Sequence, residues 1–348
     1  MLKKIVLASV LGGAAASISA VNLDLFQNDF DTLMTSMAQD IAPTLRLGAL
    51  AGDLQADASI NHFDLTLVPS LGFNLADGVG TALRPGATTW TFLDMSTFIP
   101  SGFGTTFENL MAYPSYKFAV GVAVGAGWDV TLSGNYLPSV VSKTLLKSAV
   151  GDKPAPELGY VNIGVDVNKT ILKDTGSLAS APGLSLGVGY HYASFKFDVD
   201  VDGWIPNVDI TNTQTQTTTG SLEYEGGTQV FTADVHVSKR LGFFIPYAKL
   251  TGAYENTTVT GKADLTADVF DTSDNSHTTK TFSLNPSVNL SDFAFLTTLG
   301  FDLDFFVVRY NLNVITDMGR AGLSIHSFDL DGIDANAFVI NTGIHWAY

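Results

Sequence analysis

The stretch "FVVRYNLNV", residues 306 to 314, sets Val308, Tyr310, Leu312 and Val314 on one face of an extended chain and Arg309, Asn311 and Asn313 on the other. Successive side chains of a β-strand point to opposite faces, so a strict period of two makes one face apolar and the other polar. The same alternation returns in "KFAVGVAVG" (117 to 125), "WDVTLSGNY" (128 to 136), "VNIGVDVN" (161 to 168) and "FTADVHVS" (231 to 238), and "SINHFDLTLVPSLGF" opens the series. Repetition of such segments is the pattern of a membrane barrel, whose strands of about 9 to 11 residues face lipid on one side and a lumen on the other.

Apolar residues make up 46% of the chain, yet after residue 21 no run approaches the roughly 20 apolar residues of a membrane helix. The longest, "FAVGVAVGAGW", alternates. The N-terminus reads differently: Lys3 and Lys4, the apolar run "IVLASVLGGAAA" and the small residues "SISA" have the order of a secretory signal peptide, with cleavage expected near Ala20. Removing it leaves 16 basic against 34 acidic side chains, a net charge of −18, which argues against nucleic acid or anionic headgroups as the main partner. There is no cysteine, hence no disulfide framework.

Joins between segments alternate in length, as they do in barrels with short periplasmic turns and long outer loops. Short joins near 127, 241 and 305 and a moderate one at 172 to 182 face long polar joins near 75 to 113, 139 to 156, 201 to 222, 262 to 288 and 317 to 335. Ten strands result: 58 to 74, 114 to 126, 128 to 138, 157 to 171, 183 to 200, 223 to 240, 243 to 261, 289 to 304, 306 to 316 and 335 to 348. Twelve or 14 stay open if "TTWTFLDMSTF", "KADLTADVF" or "AGLSIHSF" adds strands. The expected fold is an all-β transmembrane antiparallel barrel over residues 58 to 348, behind a signal peptide (1 to 20) and a pre-barrel segment (21 to 57). The last strand, "FVINTGIHWAY", ends on Tyr348 and resembles the C-terminal strand that outer-membrane proteins present to their assembly machinery. The expected setting is the outer membrane of a diderm bacterium, with outer-membrane lipid as a partner.

Residues 21 to 57 do not alternate. Phe30, Leu33, Met34, Met37 and Ile41 recur at helical spacing, with Asn28 as a cap and Pro43 past the end, so a short helix is expected over about 29 to 41, on the membrane surface or in the barrel mouth as a plug. A signal, a pre-barrel segment, the aromatic loop "WTFLDMSTFIPSGFGTTFENLMAYP" and an aromatic terminus together resemble the FadL-type transporters of long-chain fatty acids and other hydrophobic compounds. That resemblance implies an N-terminal hatch in the lumen and small hydrophobic ligands.

Candidate ligand contacts at an apolar mouth are Phe92, Phe98, Phe103 and Phe107 of the first long loop, with Phe195 and Phe197. Inward polar positions include Asp166, Asp234, His236, Arg309 and His345. Alternatives are a structural or surface-interaction barrel whose Thr-rich loops act as an adhesive surface, and a narrow porin. No cofactor motif is present, and no enzyme is expected: the best enzymatic case resembles the omptin proteases and would need His326, Asp329 and Asp331 to meet Asp198 or Asp200.

"FKFDVDVDGWIPNVD" gives Asp198, Asp200, Asp202 and Asp209 the spacing of an EF-hand calcium loop, but strand rather than helix precedes it, which leaves only a weak metal candidate. The apolar positions also change parity there, from Tyr190 and Tyr192 to Phe195 and Phe197. Either a β-bulge restores the faces, or the bilayer ends at Tyr192 and an unbulged strand turns both phenylalanines inward and the aspartates to water. The second is expected.

Overall fold

The structure is a computed structural model that describes residues 35, 42, 45–50, 63–72, 113–137, 143, 147, 154, 157–176, 181–200, 202, 208–209, 214–305, 308–318 and 338–347. Among these, twelve strands form one antiparallel sheet: β1 (Phe63–Gly72), β2 (Tyr113–Gly125), β3 (Trp128–Leu137), β4 (Glu157–Leu172), β5 (Gly183–Asp200), β6 (Val208–Asp209), β7 (Gln214–Ser238), β8 (Phe244–Asp271), β9 (Ser276–Leu284), β10 (Ser287–Phe305), β11 (Val308–Asp317) and β12 (Phe338–Ala347). Neighbours run β7-β5-β4-β3-β2-β1-β12-β11-β10-β8, and β8 pairs back onto β7. Ten strands therefore close a ring, sealed between first and last strand by pairs such as Thr66 with His345. The two short extras lie outside the ring, β6 on the outer end of β7 and β9 on the outer end of β8.

The barrel is apolar outside and polar inside. Leu132, Val188 and Leu299 are 59%, 58% and 59% exposed, whereas Asp129, Asn311 and Asn341 are buried. Only a hydrocarbon solvent makes that inversion favourable, because closure leaves no backbone edge unpaired in lipid. Exposed Trp128, Phe243 and Phe305 ring the end with short turns; Tyr136, Tyr192, Tyr254 and Phe293 ring the other. These are the two interfacial girdles. The tightest turn places Gly125, Ala126 and Gly127 at φ of 96°, 51° and 74°, a left-handed path that glycine takes without steric cost.

Four expectations are corrected. The strand expected to begin at 223 begins at Gln214, and the one expected to end at 261 continues to Asp271, so "KADLTADVF" extends β8 rather than adding a strand. The join expected over 262 to 288 holds β9. These extensions stand beyond the girdles with water on both faces, so no apolar face marks them; the β-branched threonines of 214 to 219 pair instead with 266 to 271. In the pre-barrel segment, Ala42 and residues 45–50 are helical, past the stop expected at Pro43. Contacts with the barrel wall hold this turn, and they outweigh local sequence signals.

Candidate functional site

Residues 45–50, "LRLGAL", lie across the lumen near its outer rim, with Leu45, Leu47, Ala49 and Leu50 buried. Arg46 reaches one wall. Its guanidinium meets Glu255 of β8 at 2.9 Å, Asp317 of β11 at 2.5 Å and Asp292 of β10 at 3.5 Å. Arg46, Glu255 and Asp317 are all 2% exposed or less. A charge so placed is tolerated only when paired and hydrogen-bonded. The opposite wall holds the backbone: Asn162 of β4 donates to the Ala49 carbonyl at 3.0 Å and Lys117 of β2 donates to it at 3.4 Å. Gly48 admits the Tyr160 ring, whose hydroxyl lies 2.9 Å from where a Cβ would stand. The segment is thus a cross-brace between β2–β4 and β8–β11.

Interleaved with these polar contacts and with the buried Thr228–Thr257 pair are apolar inward positions. Tyr160, Phe195, Phe197, Tyr224, Val259 and Leu296 are buried on the luminal side. Both ladders of β5 run through residues 190 to 198 without a bulge, so Tyr190 and Tyr192 face lipid while Phe195 and Phe197 face the lumen. Lys196 points outward beside them.

Towards the short-turn end the lumen becomes polar. Asn313 and Asn311 donate to the Tyr247 hydroxyl at 2.9 and 3.1 Å, Asn311 donates to Asp302 at 2.5 Å, and Asn341 donates to Asn313 at 2.7 Å. Asn168 donates to Asp129 at 2.9 Å, and Lys249 pairs with Asp234 at 3.4 Å. Inward glycines make room for these flat side chains. At Gly164 a Cβ would stand 2.2 Å from His191 Nδ1 and 2.8 Å from Ser133 Oγ, so the imidazole lies across β4 towards Ser133. Its other nitrogen, Nε2, meets Asp166 at 3.1 Å. Among the described residues His191 is thus paired with Asp166 alone, and neither its Nδ1 nor the Ser133 hydroxyl makes a hydrogen bond.

Of the residues singled out from sequence, Asp166, Asp234, His236 and Arg309 are buried in the lumen, and Arg309 lies 3.3 Å from Asp304. The backbone of His345 pairs with Arg309 and Thr66, while its side chain lies outside the description. Phe92, Phe98, Phe103, Phe107, His326, Asp329, Asp331, the signal peptide and Tyr348 lie outside the described residues. Asp200 accepts from the amide of Asp202 at 2.9 Å, and Asp202 from that of Gly220 at 3.0 Å, so both carboxylates close turns. Asp209 sits in β6 opposite Thr215. Asp198 is half-buried; burial first, then the neighbouring Glu223, pushes its carboxyl above the usual range. Among the described residues no three such side chains converge for a metal. Sequence reasoning missed Arg46, Glu255 and Asp317, whose joint position depends on segments far apart in the chain.

No protein-family model and no curated protein matches the chain. Among solved structures it is similar to the outer membrane protease OmpT from Escherichia coli, at 6% identity and a TM-score of 0.39 over 83% of this chain and 97% of that one. It is similar to LpxR from Salmonella typhimurium at 10% identity and a TM-score of 0.26, over 83% and 100%. The toluene transporter TbuX from Ralstonia pickettii follows at 7% and 0.22, over 84% and 89%. The expectation that the chain is no enzyme is corrected here: a protease stands among the structures it is similar to. Likenesses this distant assign no activity to any residue. The strand pairing of the chain itself, with its lipid-facing exterior and polar interior, makes it an outer-membrane β-barrel.

Proposed function

We propose that this barrel binds small hydrophobic molecules of the long-chain fatty acid kind at its outer rim and passes them inward past the N-terminal brace. The observation that carries the reading is the inward turn of Phe195 and Phe197, which with Tyr160 and Tyr224 give an otherwise polar lumen an apolar collar at its outer end. Transfer of an acyl chain from water to such a collar yields about 0.8 kcal/mol per buried methylene. Residues 45–50 occupy the same collar, so ligand and brace compete, and entry requires the Arg46 contacts to loosen.

The test is uptake of labelled oleate by a transport-deficient host carrying the inserted barrel. Uptake is expected with the native chain and is expected to fall about tenfold in the double variant Phe195→Asp/Phe197→Asp, a loss of about 1.4 kcal/mol. No uptake above the empty host, with the barrel verified in the membrane, overturns the reading. Ion conductance in planar bilayers without uptake would instead favour the narrow porin.

A further inference from the structure

On the outer surface, just above the girdle tyrosines, strands β3, β4, β5, β7 and β8 enclose a groove of about 630 Å³. Twelve of its fifteen lining residues sit on the outward face, and Tyr160, Phe195 and Gly226 are the inward-facing three. Its residues Ser194, Gly227 and Thr258 share the face of lipid-exposed Tyr192 and Tyr254, two and four positions along the same ladders. The floor is bare where Gly159 and Gly227 face outward, and Tyr136 and Tyr192 stand on its membrane side. A concavity at that height and on that face opens onto the headgroups of the outer leaflet.

Charge narrows the occupant. Lys196 is the one cation among the lining residues, and its ammonium is hydrogen-bonded to Glu223 and lies 3.2 Å from Glu225. Glu225 lines the groove and Glu223 stands beside it, opposite Lys262, which itself pairs with Asp264 at 2.8 Å; both glutamates hold the Lys196 ammonium, so an anionic phosphate entering the groove would meet a cation already engaged by carboxylates. The remaining polar groups are neutral: Gln229 and Asn256 stand opposite each other on β7 and β8, both exposed. Amides paired with tyrosine rings suit a ligand that presents many hydroxyls and an apolar ring face. Below the tyrosines, exposed Ile163, Tyr190 and Phe231 continue the strip that acyl chains would follow.

We propose that this groove holds the uncharged sugar headgroup of an outer-leaflet glycolipid. Specificity arises from rejection of phosphate as much as from hydrogen bonds to sugar. The purified full-length barrel in micelles, exposed to equal amounts of monoglucosyl-diacylglycerol and phosphatidylglycerol with the same acyl chains, is examined by native mass spectrometry. About tenfold preferential retention of the glucosyl lipid is expected, and the double variant Gln229→Ala/Asn256→Ala is expected to lose about tenfold of that retention. Glu223→Gln/Glu225→Gln, which frees Lys196, is expected to shift preference to phosphatidylglycerol. Equal retention of the two lipids by the native chain overturns the proposal, as does retention of the glucosyl lipid that Gln229→Ala/Asn256→Ala leaves unchanged.

Discussion

Arg46 is the residue on which the state of the lumen turns. Two of its carboxylate partners are as buried as it is, so removing the guanidinium strands two charges in a low-dielectric site. Breaking one partner out of a buried pair costs about 3–5 kcal/mol. Arg46→Ala is therefore expected to unseat residues 45–50, seen as faster backbone hydrogen exchange there while exchange in β2 to β4 stays slow. Unchanged exchange would mean that the apolar contacts of Leu45, Leu47 and Leu50 suffice. Little of this was legible in the sequence. "LRLGAL" shows one cation in an apolar run, and nothing local says that Glu255 and Asp317, more than 200 positions away, converge on it. The luminal glycines were equally silent, since Gly164 matters only through the His191 ring that crosses it from a neighbouring strand.

Strands were legible where two solvents meet. β3 and β11 alternate because lipid lies on one side and a polar lumen on the other, and their bounds agree with the sequence reading to within about two residues. The outer parts of β7 and β8 have water on both sides, so the period of two vanished and the chain read as loop. That outer hairpin is held by polar contacts at its tip. Asp268 accepts from His277 Nδ1 at 2.9 Å and from Thr279 at 3.0 Å, and the His277 bond is the larger cause that holds the Asp268 carboxyl below its usual range. A carboxylate whose folded value is lowered adds stability above its unfolded value and loses it as pH falls through the folded one. The protection of amides at residues 264 to 284, taken relative to the intrinsic exchange rate at each pH, is thus expected to fall as pH drops through and below the usual carboxylate range, with protection of the bilayer-spanning part unchanged. Replacement of Asp268 by Asn should remove that dependence; if it persists, the pair is not its origin.

At the scale of the molecule, ten strands close a lumen with an apolar collar at the outer end and a hydrogen-bonded base at the other. A ring near eight strands is filled by its own side chains, and open aqueous channels come at 16 or more. Ten leave room for one helical turn, which residues 45–50 supply. The measurement that tests this most directly is cross-linking in intact outer membranes between Ala49→Cys and Asn162→Cys with a short bismaleimide, beside the pair Ala49→Cys and Tyr192→Cys. A brace seated in the lumen predicts a high yield of the first product and none of the second. Absence of the first product, with Ala49→Cys open to a bulky impermeant maleimide, would contradict a lumen closed by the chain's own N-terminal segment.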